Sequence, residues 1–366
     1  MSVLKLYYGV VDSFLLSLPT PMSINYMWGF GSMLGLCLVV QVVSGFLLSL
    51  LYACGSSLSF YSVVSIMVDV NYGWVVRYVH SSGASLLMLL MYVHVLRGLW
   101  YGSFKKASVW MLGVVVLVVM SLVSFLGYVL PWGQMSFWAA TVITSMVTAV
   151  PVVGEHLSWW LWGAFSVGDP TLVRFFSLHY MMALAVTIVV LMHLINLHES
   201  GSGNPVGCDS VLDKLSFHPL FSYKDVLGLT WVMWLYIAVV CADPLMVMDS
   251  SNYVESSPMK TPSHIKPEWY FLYAYCILRS VSSKVGGVVL MVMGMLVLLV
   301  PVVTSVWGVS VNPVNGASGW LVYMVVWSFI GLTILGGHPV EYPYQMLGEV
   351  MTAVYFMSVL MIVLVE

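Results

Sequence analysis

The sequence contains very little charge. Of its 366 residues, 12 are lysine or arginine and 15 are aspartate or glutamate, so charged residues make up 7% of the chain. Soluble domains carry about 25% charge, and a chain this poor in charge cannot cover a surface that faces water. The near balance of the two signs leaves no basic face for nucleic acid. These absences exclude a soluble enzyme, a disordered tail and a nucleic-acid-binding protein.

Cysteine is also scarce, and the few cysteines are dispersed. No CxxC or CxxCH pattern joins any of the five, which are Cys37, Cys54, Cys208, Cys241 and Cys276. Their spacing argues against a zinc ribbon, an iron–sulfur cluster and a haem attached through thioethers. We expect them to serve as small apolar side chains packed between helices.

Apolar residues, by contrast, make up 61% of the chain. A spanning helix needs roughly 20 mostly apolar residues. Stretches of this kind lie at about 27–52, 73–100, 109–130, 171–198, 225–243, 285–304, 317–335 and 346–365. The apolar segment 137–150 is too short to span, and with the tryptophans after it predicts a pair of short helices at the membrane interface. We therefore predict an all-α integral membrane protein with eight transmembrane helices in a lipid bilayer.

The polar segments between these spans differ in length. The longest are 199–224, 244–284 and 336–345. The second of them is too long for a simple connector, so we expect it to be a functional loop. An even number of spans places both termini on one side. The basic residues divide six to six between the two sides, so the positive-inside rule gives no orientation.

Four histidines stand inside two of the predicted spans, where an ionisable residue is costly and indicates function. His80 and His94 lie in the second span, and His179 and His193 lie in the fourth. Each pair is 14 residues apart, which at ~100° per residue brings both members to the same helix face, roughly 21 Å apart along the axis. Two facing helices could thus present two imidazoles at each of two levels.

Four glycines repeat this spacing. Gly31 and Gly45 lie in the first span, and Gly113 and Gly127 lie in the third. A glycine leaves room for a bulky, flat group against the backbone. A lone histidine is more often a hydrogen-bonded interior imidazole, and glycines often serve close helix packing. Equal spacings on four helices instead predict a four-helix bundle that encloses two haems with bis-imidazole ligation. Zinc or copper would need its ligands clustered at one point.

Two arginines accompany the histidines. Arg77 precedes His80 by three residues, and Arg97 follows His94 by three. Each arginine therefore lies one turn outward on the face of its histidine. We expect both guanidinium groups to meet haem propionates, although an arginine that extends to the membrane surface would show the same pattern.

Several short motifs then identify a family. They are Trp28–Gly29–Phe30–Gly31–Ser32, Arg77 to His80 followed by Gly83–Ala84–Ser85, Pro131–Trp132–Gly133–Gln134, His198–Glu199–Ser200–Gly201, Lys224–Asp225 and Pro267–Glu268–Trp269–Tyr270. With these motifs and the four histidines, the chain resembles the cytochrome b family of ubiquinol–cytochrome c oxidoreductase, respiratory complex III, from about residue 21 onward. The resemblance fits the respiratory type better than the chloroplast relative, which divides the chain after four helices.

The resemblance implies two non-covalent b-type haems. His80 and His179 would ligate the low-potential haem, and His94 and His193 the high-potential haem. The chain would divide into a dihaem four-helix bundle with interfacial helices at 1–215 and a C-terminal four-helix region with the quinol-site loop at 216–366. It would be a multi-pass protein of the mitochondrial inner membrane, with its termini in the matrix.

The resemblance also implies a ubiquinol-oxidation pocket near the intermembrane space. It would be lined by Phe125, Tyr128, Met135, Ala139, Ile143, Pro267, Glu268, Phe271 and Tyr275. Glu268 and Tyr275 are its expected catalytic residues, because quinol must lose protons as it loses electrons and a carboxylate can accept one. Ala139 departs from the family, which usually has glycine there. We expect its methyl group to weaken the binding of methoxyacrylate-type inhibitors.

A quinone-reduction pocket would lie near the matrix. The family points to His198, Ser202, Lys224 and Asp225 as its residues. A histidine and an aspartate on opposite sides of a quinone could hydrogen-bond its two carbonyls and relay protons. For Ser202, ordinary loop polarity explains the residue about as well.

The implied mechanism is bifurcated electron transfer. One electron would leave ubiquinol for a Rieske iron–sulfur protein, and the other would pass through both haems to quinone. The family further implies a membrane-anchored c-type cytochrome, accessory complex III subunits and a homodimer. The alternatives are the dihaem anchor of another quinone-linked dehydrogenase, a transporter or channel, and a purely structural subunit. Only the first of these alternatives would bind haem.

Overall fold

The structure is a computed structural model that describes residues 9, 12–207, 211–302 and 317–364. Both termini, Cys208 and the end of the predicted sixth span lie outside the described residues. Helices make up nearly all of the regular structure described. The α-helices are α1 (Phe30–Ser49), α2 (Ser59–Val68), α3 (Gly73–Trp100), α4 (Ala107–Val129), α5 (Gln134–Ser145), α6 (Gly154–Trp162), α7 (Asp169–Ser200), α8 (Leu220–Ala242), α9 (Leu272–Arg279), α10 (Lys284–Leu296), α11 (Ala317–Gly336) and α12 (Tyr344–Met361).

Shorter elements complete the chain. A π-helical turn spans Asp12–Leu16, and 3₁₀ turns lie at Tyr26–Trp28, Ser103–Lys105, Met146–Ala149, Pro244–Val247, Ser250–Tyr253, Trp269–Phe271 and Val297–Leu299. Strands β1 (Pro19–Pro21) and β2 (Lys214–Ser216) pair in antiparallel fashion, with Thr20 opposite Leu215. This pairing joins the N-terminal segment to the loop before α8.

Six described helices are long and apolar enough to cross a membrane. They are α1, α3, α4, α7, α8 and the Gly319–Gly336 part of α11. The prediction of an all-helical, multi-pass protein is therefore confirmed. Helices α10 and α12 lie at the predicted sixth and eighth spans, but the count of eight crossings stays a prediction. Helices α5 and α6 occupy the place of the predicted interfacial pair.

The first half of the chain forms a four-helix bundle from α1, α3, α4 and α7. Helix α1 packs on α3, and α4 packs on α7 along most of its length. Local sequence sets the ends of these helices. Helix α7 starts at Asp169–Pro170, with the Gly168 amide bonded to the Thr171 hydroxyl at 3.2 Å, and stops at Gly201, which has a φ of +68°. Helix α4 stops just before Pro131, which cannot continue it.

The second half packs against this bundle through buried hydrogen bonds. The Trp110 indole on α4 donates to the Leu298 carbonyl at 2.6 Å, where α10 tightens into a 3₁₀ turn. Within the second half, the Tyr355 hydroxyl on α12 donates to the Gly294 carbonyl of α10 at 2.8 Å. One large apolar core includes buried side chains from both halves, among them Leu87 and Ile277.

Candidate functional site

Helices α3 and α7 place two of the predicted histidines opposite each other inside the bundle. The ring centroids of His80 and His179 are 6.2 Å apart, and the ring planes are nearly perpendicular at 88°. Two metal–imidazole bonds of about 2.0–2.1 Å each, plus the two ring radii, add up to about this separation. Both histidines line a cavity of about 450 Å³.

Each of the four glycines lies against one of the four histidines. A Cβ atom added at any of them would have a histidine Cε1 as its nearest neighbour. These distances are 2.7 Å from Gly45 to His80, 2.5 Å from Gly127 to His179, 3.3 Å from Gly113 to His193 and 3.7 Å from Gly31 to His94. A side chain at Gly45 or Gly127 would therefore displace the facing imidazole.

Hydrogen bonds orient the first pair of imidazoles. The Nδ1 atom of His179 lies 2.9 Å from the Val123 carbonyl, which can only accept, so Nδ1 carries the hydrogen. The Nδ1 atom of His80 lies 3.0 Å from the Ser44 hydroxyl. This arrangement leaves each Nε2 lone pair for a metal ion, as in metal-binding histidines generally.

The residues present therefore fit a haem. Two imidazoles lie opposite each other, their Nδ1 atoms are hydrogen-bonded, and Gly45 and Gly127 let the helix backbones pass close to the rings, where a Cβ would not fit. Within the described ranges, no three His, Cys, Asp or Glu side chains gather to hold a metal ion. The opposed histidine pair is the donor set that this cavity offers.

The two predicted propionate arginines lie in different surroundings. Arg77 lines the cavity of His80. Arg97 instead donates from Nε to the Met27 carbonyl at 3.1 Å, and its guanidinium stacks on the Trp28 ring at 4.6 Å from the centroid. Arg77 thus faces the cavity of His80 and His179, and a role of Arg97 towards a haem at the His94 level stays a prediction.

Glu268 and Tyr128, two of the predicted quinol-pocket residues, line the same cavity. Burial raises the pKa of the Glu268 carboxyl to about 7 against the opposing effect of a hydrogen bond with Tyr128. Nearby Asp249 also raises this pKa, and Lys266 lowers it. Glu268 is therefore a carboxyl group that can exchange a proton near neutral pH, at the end of the histidine cavity.

The other predicted quinol-pocket residues lie in the segments that flank the cavity. Met135 and Ala139 are buried on α5, and Phe125 packs edge-on against Phe175 at 5.9 Å. Tyr275 lies under the Arg279 guanidinium, 4.7 Å from ring centroid to Cζ. Ile143, Pro267 and Phe271 are half-buried.

The Pro131–Gln134 motif docks the loop that carries Glu268. Gln134 N–H donates to the Val254 carbonyl at 2.9 Å, and Gly133 pairs with Glu255 as an isolated bridge. A Cβ at Gly133 would overlap the backbone of Asn252, so this close approach requires glycine.

Helix α3 holds the same loop on its other side. The Trp269 indole donates to the Ser85 hydroxyl at 3.2 Å, and the Tyr92 hydroxyl donates to the Tyr270 carbonyl at 2.5 Å. The tetrapeptide that contains Glu268 is therefore fixed to the helix that presents His80.

The residues predicted for quinone reduction lie at the opposite end of the bundle. His198 is in the last turn of α7, and Ser202 follows that helix. Asp225 lies in the second turn of α8, close to the start of α1, where a Cβ at Gly29 would be 3.1 Å from its Oδ1 atom. Lys224 donates to the Ile24 carbonyl at 3.0 Å. The structure thus places Lys224 and Asp225 beside the start of α1 and His198 and Ser202 at the end of α7, and their joining in one pocket stays a prediction.

Sequence reasoning missed three residues around His80. Gln41 and Ser44 lie on α1, and Tyr236 lies on α8; the side chains of Gln41 and Tyr236 both donate to the Val79 carbonyl. Their signal was a polar side chain inside an apolar span, which is costly unless it has a partner. The sequence does not show which backbone atom that partner is.

Comparisons with known proteins agree with this architecture. Residues 15–201 match the family described as cytochrome b/b6/petB, and residues 255–356 match the C-terminal cytochrome b/b6/petD family. The chain is 48% identical over 361 residues to the cytochrome b of Leptorhynchoides thecatus, covering 96% of this chain and 95% of that protein. It also resembles a chain of a hyperthermophilic respiratory complex III, with a TM-score of 0.90 and 26% identity over 98% of this chain and 95% of that one.

Proposed function

The chain belongs to the cytochrome b family of respiratory complex III, and from this premise we propose that it is the dihaem, quinone-binding catalytic subunit of a ubiquinol–cytochrome c oxidoreductase. It oxidises ubiquinol on the intermembrane-space side, reduces quinone on the matrix side and couples the electron transfer to proton translocation. One observation carries this proposal: the opposed imidazoles of His80 and His179 share a cavity with the buried carboxyl of Glu268.

The histidine pairs are the residues that would hold the two haems. His80 and His179 hold the low-potential haem, and His94 and His193 hold the high-potential one. A b-type haem at each level supplies one-electron transfer through the membrane interior. The protein contributes the ligands, the glycines that face them and the hydrogen bonds that orient the rings of His80 and His179.

Glu268 is the proposed proton acceptor for quinol oxidation. A general base works best when its pKa lies near the working pH, and burial raises the pKa of this carboxyl to about 7. The Tyr128 hydroxyl beside it offers a hydrogen-bond partner for the carboxylate. Tyr275, on the first helix after this loop, is the second residue assigned to the quinol side.

The bonds that hold the Glu268 loop serve this chemistry. Ser85 and Tyr92 on α3 fix the tetrapeptide from one side, and Gln134 fixes the loop from the other. A carboxyl group that takes a proton from a bound quinol must lie within hydrogen-bond reach of it. These anchors therefore set the distance between the base and its substrate.

At the opposite end, His198 and Asp225 are the proposed partners of the quinone carbonyls. An imidazole and a carboxyl group can each donate a proton to the quinone as it is reduced. Lys224 and Ser202 lie in the same segments and would contribute polar contacts at the edge of this pocket.

Location and partners follow from the family. We assign the chain to the mitochondrial inner membrane with its termini in the matrix. Its partners would be a Rieske iron–sulfur protein, a membrane-anchored c-type cytochrome, accessory subunits and a second copy of the chain.

The first test is a reduced-minus-oxidised optical spectrum of the purified complex, titrated by potential. We expect two b-type components with separate midpoints. A single component would mean that one histidine pair is misassigned, and the absence of any haem signal from folded protein would overturn the proposal.

Histidine variants assign each component. His94→Ala should remove the high-potential component and leave the low-potential one. His218→Ala is the matched control, because this imidazole is exposed just before α8. Its Nδ1 atom lies 3.2 Å from the Ser222 hydroxyl, away from the predicted haem ligands. Loss of a component in His218→Ala as well would contradict the assignment.

A further inference from the structure

The N-terminal span α1 carries a small polar face that points at α3. Gln41 and Ser44 are three residues apart in an otherwise apolar stretch, so both lie on the same side of the helix. Ser44 is 5% exposed, and Gln41 lines the cavity of His80. Buried polar groups are stable in a membrane only with hydrogen-bond partners, and both partners here adjoin His80.

The Ser44 hydroxyl is positioned as an acceptor for the His80 ring. Its oxygen lies 2.6 Å from the Val40 carbonyl, to which it can only donate its single hydrogen. The same oxygen lies 3.0 Å from His80 Nδ1, and the backbone carbonyl of Gln41 is a second acceptor beside this ring. Because the hydroxyl hydrogen is already used, the remaining lone pair accepts from Nδ1–H.

The backbone that carries His80 is fixed by a second set of bonds. The Gln41 amide donates to the Val79 carbonyl at 3.2 Å, and the Tyr236 hydroxyl donates to the same oxygen at 2.5 Å. A Cβ at Gly83 would overlap the Gln41 amide and lie 2.8 Å from the Tyr236 hydroxyl. Glycine at this position therefore lets α1 and α8 both hold α3 at the residue before His80.

The second histidine level differs from the first at His94. His94 Nδ1 is buried and has no hydrogen-bond partner among the residues that the structure describes. The Met27 carbonyl near this end of α1 accepts from Arg97 instead, at 3.1 Å. At the first level, by contrast, both His80 and His179 have an acceptor for Nδ1–H.

We propose that Ser44 is a positioning residue which, by accepting the Nδ1–H of His80, lowers the midpoint potential of the haem held by His80 and His179. A hydrogen bond from Nδ1–H makes an imidazole a stronger donor to its metal. A stronger donor stabilises ferric over ferrous iron, and second-shell hydrogen bonds are an established means of tuning haem potentials. The difference between the two levels thus contributes to the separation of their potentials. This inference rests on the proposed function.

The test is a potentiometric titration of the assembled complex with single substitutions. In Ser44→Ala, we expect the ferrous-to-ferric ratio of the low-potential haem at a fixed potential to rise by up to about tenfold. This change corresponds to a rise of up to about 59 mV in the midpoint potential for a one-electron couple. The high-potential midpoint should not move. Ser44→Thr keeps the hydroxyl and should restore the original value.

Ser81→Ala is the matched control. Ser81 lines the same cavity, and its hydroxyl bonds to the Arg77 carbonyl of its own helix at 3.0 Å. Removing it changes cavity polarity without touching the His80 ring, so the low-potential midpoint should stay in place. An equal shift in Ser81→Ala and Ser44→Ala would overturn the proposal, because polarity alone would then explain the effect.

Two further outcomes separate this proposal from the proposed function. An unchanged low-potential midpoint in Ser44→Ala, in a complex that keeps both b components, overturns the role of Ser44 alone. A complex without two b components before any substitution overturns the proposed function instead. If Ser44→Ala does not assemble, Ser44→Cys replaces it, since a thiol is a poor acceptor of similar size and should raise the midpoint in the same direction.

Discussion

The hydroxyl oxygen of Tyr92 lies 2.5 Å from the backbone carbonyl oxygen of Tyr270. Tyr92 stands two residues before His94 on α3, and Tyr270 stands two residues after Glu268. Both tyrosines are buried, so water does not replace this bond. It joins the proposed proton acceptor to the helix that presents two proposed haem ligands.

Removing this bond should impair quinol oxidation. In Tyr92→Phe the Tyr270 carbonyl loses its donor, which costs about 1–3 kcal/mol for a buried group. If a similar amount is lost from transition-state stabilisation, kcat/KM for quinol falls by on the order of tenfold. Steady-state reduction of cytochrome c by the purified complex measures this change, and the haem content should stay at its original value.

Tyr355→Phe is the control for Tyr92→Phe. It removes a buried tyrosine bond of the same kind, to the Gly294 carbonyl at 2.8 Å, between helices away from Glu268. We expect a comparable loss of thermal stability and an unchanged kcat/KM. Equal kinetic losses in the two variants would show that stability, not the position of Glu268, limits the rate.

Periodicity explains how much of this site is visible in sequence. A 14-residue repeat is a property of one helix face, so the glycines and histidines could be assigned to two levels before any contact was known. In the structure Gly45 and Gly127 lie against His80 and His179 at one level. The all-helical class and most of the spans follow from hydropathy in the same way.

Contacts between elements that are distant in sequence could not be predicted. Ser44 and Tyr236 belong to different halves of the chain, and nothing in their spacing indicates that both act near His80. The docking of Asn252 on the backbone of Gly133 likewise depends on the path of an irregular loop. Such partners are set by packing, and no local periodicity encodes them.

The glycine spaces can be tested by adding a single methyl group. Gly127→Ala would place a Cβ 2.5 Å from His179 Cε1, closer than such contacts allow. We expect the complex to lose most of the low-potential haem, since the imidazole must move away. Haem content per chain and the redox difference spectrum measure this loss.

Gly35→Ala provides the comparison for Gly127→Ala. A Cβ at Gly35 would meet no atom within 4 Å among the residues that the structure describes, and alanine favours helix over glycine by about 1 kcal/mol. Both haems should therefore remain in Gly35→Ala. Retention of the low-potential haem in Gly127→Ala would refute the assigned cavity.

The pKa of Glu268 predicts a pH dependence of quinol oxidation. Burial raises this pKa to about 7, and the carboxyl must be ionised before it can accept a proton. We expect kcat to rise as pH increases through about 7, and we expect Glu268→Gln to lower kcat and remove the rise. Glu255→Gln is the control, since Glu255 lies in the same loop but accepts a hydrogen bond from the Tyr61 hydroxyl at 2.7 Å. Loss of the pH dependence in Glu255→Gln as well would argue against Glu268 as the proton acceptor.

The same carboxyl should affect the free energy of unfolding. Its pKa is raised from 4.5 to about 7 in the folded chain, so between these values the folded state binds more protons than the unfolded state. Stability should therefore fall as pH rises through this window. Thermal unfolding of the complex at several pH values should show a shallower fall in Glu268→Gln, and a fall of the same depth would place its origin elsewhere.

Ala139 allows a test of inhibitor selectivity on the quinol side. Its side chain is 4% exposed on α5, and we expect its methyl group to narrow the pocket for methoxyacrylate-type inhibitors. One methyl group in an apolar pocket changes binding by about 1–3 kcal/mol, or roughly 10–200-fold, so Ala139→Gly should lower the inhibition constant within that range. The adjacent Ala140, which is 0% exposed, makes Ala140→Gly a control with the same helix penalty and an expected inhibition constant equal to that of the original chain. An inhibition constant of Ala139→Gly equal to that of the original chain would show that this methyl group does not border the inhibitor.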